Sequence, residues 1–214
     1  MRKKFLAPLV LTSLAVLLPI AVGLVLWDSL PEQIATNFGV DGQPNGWSSR
    51  AFAVFGIPLF VLACHIFCFL AVCFDPKQKG VGTKVIWILL AICPLVSWIC
   101  AVAVYSYALG AAFDIQPPLK LFMAVVFIVL GNYMPKVRQN YTVGVKLPWT
   151  LDDPDNWNRT NRLAGWLFIL AGLVWLGSAF ISGAAGFYLP FAVTIAAAVA
   201  PTAYSFILYI RKTR

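Results

Sequence analysis

The sequence predicts an all-α membrane fold, a polytopic bundle of six transmembrane helices, from its composition and from the number of its long apolar runs. Of the 214 residues, 61% are hydrophobic and only 11% are charged, and the mean hydropathy is +0.83. A soluble domain usually carries roughly a quarter charged residues. The chain therefore lacks the polar surface that would cover a soluble core, and a bilayer is the solvent that fits.

Six apolar runs are candidates to cross the membrane, which takes about 20 helical residues. They are residues 5–27, 51–74, 85–109, 119–134, 163–181 and 187–210. The fourth run is the weakest, because it is short, follows Pro117 and Pro118, and contains Lys120 and Asn132. We predict that it spans, with the Lys120 side chain extending outward to the membrane surface.

The basic residues predict the orientation, since Lys and Arg concentrate in cytoplasmic loops. With the N-terminus inside, only Arg50 and Lys120 of the 16 basic residues fall outside. The 14 on the inner side are Arg2, Lys3, Lys4, Lys77, Lys79, Lys84, Lys136, Arg138, Lys146, Arg159, Arg162, Arg211, Lys212 and Arg214. Both termini are therefore predicted to be cytoplasmic, and the net charge of +8 is an orientation signal, not a nucleic-acid-binding surface.

Two long loops divide the chain into two predicted units. Residues 1–84 form a two-helix unit with an extracytoplasmic loop at 28–50, and residues 85–214 form a four-helix unit with a cytoplasmic loop at 135–162. The first apolar run is too long for a signal-peptide core, so we expect it to remain as a helix. Ala192, Ala196 and Ala200 form a small-residue stripe that is expected to pack within the chain, with dimerisation as the alternative.

The apolar runs carry little catalytic or metal-binding chemistry. None contains Asp or Glu, and the one ionisable residue deep in a run is His65, near Cys64 and Cys68. Two ligands on one helix face do not complete a zinc site, so His65 is interpreted as a hydrogen-bonded packing residue. All five cysteines lie in apolar runs and predict no disulfide. No metal or cofactor is predicted.

Enzyme signatures such as H-E-x-x-H, the Walker A loop and G-x-S-x-G are absent from the sequence. Asp152, Asp153 and Asp155 cluster in the second loop, where carboxylates can act as acid and base or bind a divalent cation. They stand beside Pro154 and ahead of Trp157, which favours a turn followed by a capped helix N-terminus. A membrane enzyme built on this cluster stays an alternative, but we predict that the protein is not an enzyme.

The two loops carry recognisable motifs. The second reads GNYMPK at residues 131–136, Asn140, GVKLPWTL at 144–151, and then Trp157, Thr160, Arg162, Gly165 and Trp166. This order closely resembles the SdpI family of bacterial membrane immunity proteins. The first loop, with LPEQI at residues 30–34, Asn37-Phe38, Gly42 and Asn45-Gly46-Trp47, resembles the short domain that often precedes that motif. Together with the flanking runs, the resemblance covers nearly the whole chain.

The chain departs from the family pattern at four positions. The pattern usually has His where this chain has Asn37 and Asn161, and it prefers Arg and Thr where this chain has Lys146 and Leu147. A role that required those imidazoles, such as metal binding or pH sensing, is not expected in this protein.

The resemblance implies a bacterial cell-membrane protein that gives immunity to a secreted antimicrobial peptide. In the best-known members it also implies signalling, in which the toxin-bound protein holds a transcriptional repressor at the membrane. Direct nucleic-acid binding is not implied. The alternative function is a small transporter or channel for peptide or lipid.

Candidate binding residues follow from the residue chemistry of the loops. Phe38 and Trp47 offer rigid aromatic anchors to a toxin that arrives from outside. Asn132 and Asn140 are expected to bond freed carbonyls at the end of the fourth helix, Gly144 to adopt a conformation closed to other residues, and Pro148-Trp149 to form an extended step that seats an indole at the interface. The inner-loop candidates for partner or toxin binding are Asn132, Lys136, Asn140, Gly144, Lys146, Pro148, Trp149, Thr150, Trp157, Thr160 and Arg162.

Overall fold

The computed structural model describes residues 2–40, 42–77, 81–111, 114–181 and 183–213, apart from the side chains of residues 2, 3 and 213. Of the basic residues used to predict the orientation, Lys79 and Arg214 lie outside the described residues, as do the side chains of Arg2 and Lys3. Every other candidate residue named above is described.

Six helices in the described parts of the chain are long and apolar enough to cross a membrane, which confirms the predicted six-helix fold. They are α1 (Leu6–Val25), α2 (Ile57–Cys73, preceded by a π-helical turn at Phe52–Gly56), α3 (Thr83–Ala108), α4 (Gln116–Tyr133, continued by a 3-10 turn at Met134–Lys136), α6 (Pro154–Ser178) and α7 (Gly183–Thr213). A short helix, α5 (Pro148–Asp152), precedes α6.

Helix α4 begins at Gln116, three residues earlier than predicted. Pro117 and Pro118 lie in its first turn, where the missing N–H groups have no intrahelical partner to lose. Lys120 then follows within the helix and is only 6% exposed. Its Nζ donates to the carbonyls of Ser178 (3.2 Å) and Ile181 (3.4 Å) at the end of α6. The prediction of an outward-extending lysine is wrong, because carbonyls at the C-terminal end of α6, where the helix dipole is negative, bind the ammonium instead.

The first predicted loop is not irregular but contains a β-hairpin, an addition to the all-α prediction. Strands β1 (Gln33–Phe38) and β2 (Pro44–Ser49) pair antiparallel, with Ala35 opposite Trp47. The sequence carried a signal for this, since Asp41-Gly42 between two short strand-like segments is a common hairpin turn. The hairpin was missed because the surrounding apolar runs dominate a search for helices.

The chain packs as two compact units. The first contains residues 1–73 and 86–116, and the second contains residues 74–85 and 117–214. The division predicted from the sequence, into residues 1–84 and 85–214, stays a prediction. In the first unit, the hydroxyl of Ser97 donates to the Val16 carbonyl of α1 at 2.8 Å. Its core also includes Leu30, Ile34, Ala53, Val54, Ala101, Val104 and Tyr105.

In the second unit, glycines bring α4 and α6 into close contact. A Cβ added to Gly165 would lie 2.7 Å from the Gly131 carbonyl oxygen, and one added to Gly172 would lie 2.9 Å from the Ala124 carbonyl oxygen. The two helix backbones therefore touch along one face, as small residues permit in membranes. On α7, the stripe of Ala192, Ala196 and Ala200 is exposed. The expectation that it packs within the chain is wrong, and the dimerisation alternative stays a prediction.

Candidate functional site

The hairpin of the first unit (residues 33–49) places its two candidate aromatics differently. Phe38 is half-buried and packs edge-to-face on Tyr107 of α3, with ring centroids 5.4 Å apart. Trp47 is 57% exposed. Phe38 therefore anchors the hairpin on α3, while Trp47 is the aromatic ring that is free to meet a ligand.

Backbone pairing and a few side-chain bonds hold the hairpin. Thr36 and Ser48 share a hydroxyl–hydroxyl bond of 2.8 Å across the strands. The turn is closed by the Gly39 N–H, which donates to the Gln43 carbonyl at 2.7 Å. Gly42 adopts φ +75° in this turn, a conformation that favours glycine. Most of the exposed side chains of the hairpin therefore take no part in the bonds that hold it together.

Arg50 lies directly after the hairpin and binds the chain that leaves α1. Its Nη1 donates to the carbonyls of Trp27 (2.7 Å) and Leu30 (3.1 Å), and its guanidinium lies 4.6 Å from the centre of the Trp27 ring. The charge therefore satisfies carbonyls beyond the end of a helix, as Lys120 does at the end of α6. The two basic residues that the charge distribution leaves on the outer side both have this structural use.

In the second unit, the connection between α4 and α6 (residues 134–153, here the motif loop) is organised by Asn140. This side chain is fully buried. Its Nδ2 donates to the carbonyls of Arg138 (2.8 Å) and Val143 (2.9 Å), and its Oδ1 accepts from the N–H groups of Thr142 (2.8 Å) and Val143 (2.6 Å). Asn140 therefore closes a turn within the motif loop, and the expectation that it bonds carbonyls of the fourth helix is wrong. Asn132, which was given the same role, instead accepts from Lys136 Nζ at 3.3 Å.

Thr150 fixes the second half of the motif loop. Its hydroxyl lies 2.9 Å from the carbonyls of Val145 and Leu147, and the Leu147 N–H donates back to it at 2.9 Å. Leu147 is extended and Pro148 is the first residue of α5. The prediction of an extended step at Pro148-Trp149 is wrong, because both residues are helical and only Leu147 before them is extended. Pro148 starts the helical turn, since its fixed φ suits that position.

Trp157, Asn161 and Gly144 form the buried centre that joins the motif loop to α6. Trp157 Nε1 donates to the Val137 carbonyl at 2.8 Å, and Asn161 Oδ1 accepts from the Val145 N–H at 2.9 Å. Gly144 has φ +125°, and a Cβ there would lie 2.7 Å from the Trp157 ring and 2.8 Å from Asn161 Oδ1. The prediction that Gly144 needs a conformation closed to other residues is confirmed.

Trp149 packs on α7. Its Nε1 bonds the Ser205 hydroxyl, and its ring stacks on Tyr209 with centroids 5.5 Å apart and an interplanar angle of 25°. Asn156 Nδ2 donates to the Ser205 carbonyl at 3.0 Å, and its Oδ1 accepts from Thr160 at 2.9 Å. Trp149 and Thr160 are therefore parts of the packing between α5, α6 and α7.

Asp75, which the sequence analysis did not single out, is a central residue of this site. Its carboxylate is 3% exposed and accepts from the Thr142 hydroxyl (2.6 Å) and from the N–H groups of Tyr141 and Lys77 (both 2.8 Å). Lys77 Nζ also donates to the Leu151 carbonyl at 3.1 Å. The segment after α2 thus binds the motif loop. A signal existed, since Asp75 is the one acid between two apolar runs in a segment that is otherwise basic.

Asp153 is the N-cap of α6, which confirms the capping interpretation of the acidic cluster for this residue. Its side chain accepts from the Asp155 N–H at 3.0 Å and from Lys212 Nζ at 2.9 Å. The hydrogen bond from Lys212, helped by the capped backbone N–H groups, lowers the pKa of Asp153. Asp155 pairs with Arg159 one turn on, at 3.0 Å. Among the described residues, no group of three or more His, Cys, Asp or Glu is arranged to hold a metal ion.

Three of the candidate cations remain at the surface of the second unit. Lys136, Lys146 and Arg162 are exposed. The Nζ of Lys136 lies 5.1 Å from the centre of the Tyr133 ring, and the Nζ of Lys146 donates to the Thr142 carbonyl at 3.0 Å. These charges are available to a ligand, while Asn140, Thr150, Trp157 and Thr160 are buried structural residues.

His65 lies on α2 in the first unit. It is buried, and its Nε2 lies 2.9 Å from the Thr12 hydroxyl. Because that hydroxyl is also 2.8 Å from the Pro8 carbonyl, it can donate there and accept from the histidine. This arrangement is that of a hydrogen-bonded packing histidine.

Two family models match the chain. Residues 136–205 match the SdpI/YfhL protein family, and residues 14–62 match a domain of unknown function, DUF1648. The chain is also 25% identical to the immunity protein SdpI of Bacillus subtilis (strain 168) over 178 residues, which are 81% of this chain and 82% of that protein. No solved structure matches it.

Proposed function

We propose that this chain, which belongs to the SdpI-type family and is a multi-pass bacterial membrane protein, protects its cell from a secreted antimicrobial peptide. The observation that carries the proposal is the extent of the similarity. The relative named as an immunity protein is similar over 81% of the chain, and the two family segments contain the hairpin and the motif loop between them. The protein is proposed to act by binding, without catalysis.

The orientation belongs to this proposal, with both termini in the cytoplasm. The distribution of basic residues supports it. The structural roles of Arg50 and Lys120 add support, because each exception to that distribution binds carbonyls at a helix end. In this orientation the hairpin faces the outside, where a secreted peptide arrives, and the motif loop faces the cytoplasm.

The hairpin is proposed as the toxin contact, with Trp47 as its principal residue. An exposed indole offers a large, rigid apolar surface at low entropic cost, which is why Trp dominates many interfaces. Phe38 is proposed to act indirectly, since its packing on Tyr107 holds the hairpin in place.

A toxin challenge in a sensitive host tests the proposal. Cells that express the chain should survive the cognate peptide. Trp47→Ala should reduce protection by about tenfold or more. Phe38→Ala should also reduce protection, but indirectly, because it loosens the packing that holds the hairpin in place. Trp87→Ala is the matched control, since Trp87 is also an exposed indole but lies on α3. Unchanged killing of cells that express the wild-type chain at normal membrane levels would contradict the immunity function. Peptide flux into liposomes would point to a transporter instead.

Cysteine labelling tests the orientation independently. Single cysteines placed at Ser49 and at Thr142 should react with an impermeant maleimide from opposite sides of the membrane. Labelling of the motif loop from outside intact cells would contradict the proposed orientation while leaving the six helices in place.

The finer proposal is that the toxin-bound protein holds a transcriptional repressor at the membrane through the exposed part of the motif loop. Tyr141 and Lys146 are exposed on a segment that Asp75 and Asn140 fix in one conformation, so they form a defined surface. Replacing both with Ala should abolish toxin-dependent transcription and leave protection intact. Intact transcription in the double variant would contradict this contact.

A further inference from the structure

Helices α4 and α6 each change from apolar to charged sequence at the end nearest the motif loop. On α4, the apolar sequence ends at Met134 and Lys136 is the first charge beyond it. On α6, Arg162 is the last charge before the apolar sequence that begins at Leu163. Each cation has an aromatic residue about one turn into the apolar side. The boundary between membrane and water therefore crosses both helices at these cations.

The contact between the two helices brings the chain segments that carry the two cations close together. The Pro135 ring lies 2.9 Å from where a Gly165 Cβ would be. Lys136 directly follows Pro135, and Arg162 precedes Gly165 by three residues, which is one helical turn on the same side of α6. The Lys136 and Arg162 backbones are therefore each within about one helical turn of the glycine-mediated crossing.

Neither cation is neutralised by the described part of the protein. Lys136 Nζ bonds the neutral Asn132 amide and lies over the Tyr133 ring. For Arg162 no ion pair is found within the described ranges, where the two salt bridges join Asp155 to Arg159 and Asp153 to Lys212. Two such unpaired positive charges near one helix crossing at a membrane surface attract an anion.

The aromatic neighbours identify the kind of anion. Trp166, one turn beyond Arg162, is 68% exposed, and an exposed Trp at this depth is typical of the headgroup region. A phospholipid whose phosphate binds these cations would have its acyl chains along Trp166 and the exposed apolar surface of α4. A soluble acidic partner would not use that apolar part.

We propose that Lys136 and Arg162 form a binding site for the headgroup of an anionic phospholipid, with Tyr133 and Trp166 as its apolar border. The site lies on the cytoplasmic side in the proposed orientation, but the binding itself does not depend on the immunity function. The two positive charges favour anionic over zwitterionic lipid, because the ammonium group of a choline headgroup already compensates the charge of its phosphate.

Native mass spectrometry of the purified full-length protein, titrated with phosphatidylglycerol or phosphatidylcholine, tests the site. The wild type should bind at least one phosphatidylglycerol about tenfold more tightly than phosphatidylcholine. Lys136→Ala with Arg162→Ala should remove most of that preference. Lys84→Ala with Arg211→Ala is the matched control, since it removes two exposed cations elsewhere and should keep the preference. Lys136→Arg with Arg162→Lys should also keep it.

Two results would overturn the proposal. Equal loss in the site variant and in the matched control would show general electrostatics and no site. Absence of any headgroup preference in the wild type would also overturn it, and lost toxin-dependent transcription in Lys136→Ala/Arg162→Ala cells would then assign the cations to an acidic protein partner. A helical circular dichroism spectrum of each variant excludes misfolding as the cause, and the lipid titration itself does not use the toxin.

Discussion

The hairpin and the motif loop contain the same kinds of residue and use them in opposite ways. Trp47 is exposed on the hairpin, whereas Trp157, in the first turn of α6 beside the motif loop, is buried and donates to the Val137 carbonyl of that loop. Asn45 is exposed, whereas Asn140 is buried and makes four bonds. Asn and Trp in a loop therefore do not by themselves indicate binding, because burial decides between a contact residue and a structural one.

The bonds that hold each region explain the difference. The hairpin is held largely by its strand ladder, which needs backbone groups and few particular side chains. The motif loop has no ladder in its described residues and is held by side chains that bond backbone groups. Removing such a side chain leaves buried backbone groups unpaired, which costs about 1–3 kcal/mol for each group. We expect the hairpin to tolerate substitution where the motif loop does not.

The largest expected effect separates the two tryptophans. Trp157→Ala should lower the free energy of unfolding by roughly 3–5 kcal/mol, because it removes a buried ring. Trp47→Ala should change it by less than about 0.5 kcal/mol, as is usual for exposed positions. Denaturant titration of the purified variants in mild detergent measures both. Similar losses for the two variants would break the comparison.

One glycine with positive φ in each region gives a smaller expected effect and a sharper contrast. Gly144→Ala combines an unfavourable φ with contacts under 3 Å to Trp157 and Asn161, so a loss of roughly 1–3 kcal/mol is expected. Gly42→Ala has an unfavourable φ, but its Cβ would meet only the Gln116 amide, at 3.4 Å, and the Asp114 carboxylate, at 3.8 Å. Its cost should be about 1 kcal/mol. Thermal unfolding of the two variants side by side tests this order.

The smallest expected effect concerns Asp153 at the edge of the motif loop. Because its pKa is lowered in the folded protein, its ionised form adds stability above the unfolded pKa of about 3.9. That contribution is lost as the pH falls through the lower folded value. Asp153→Asn keeps a good N-cap and loses only the attraction to an exposed Lys212, so it should cost less than about 1 kcal/mol at neutral pH.

Stability measured from pH 7 down to pH 3 checks the Asp153 prediction. The gap between wild type and Asp153→Asn should close as the pH falls below 4. Asp152→Asn, at an exposed neighbouring acid, serves as the control. A gap that stays constant with pH would show that the Lys212 contact does not stabilise the fold.

Much of the fold was predictable because membrane helices are specified by local composition. The six apolar runs gave six helices, and the capping role of Asp153 followed from the proline beside it. The hairpin was not predicted, since two six-residue strands carry little signal beside runs of 20 apolar residues. The roles of Lys120 and Asn140 were also beyond sequence reasoning, because their partners are set by tertiary packing.

The position of the candidate site was predictable, but which of its residues are structural and which are exposed for binding was not. The motif letters located the motif loop, and Gly144 was interpreted correctly from its chemistry. The motif does not indicate that Thr150 and Trp157 are buried and that Lys136 and Arg162 are exposed. Asp75 was missed because it lies 66 residues from its partner Tyr141 in the sequence, and one sequence does not reveal such pairs.

The bond from Lys120 to the end of α6 has a consequence for how the protein is made. Ser178 is synthesised 58 residues after Lys120, which takes about 3–12 s at usual translation rates. During that interval the ammonium has no carbonyl partners in α6, so we expect α4 to insert poorly at first. We expect α4 to settle in the bilayer only when α6 arrives, so that biogenesis of the second unit is completed as one late step.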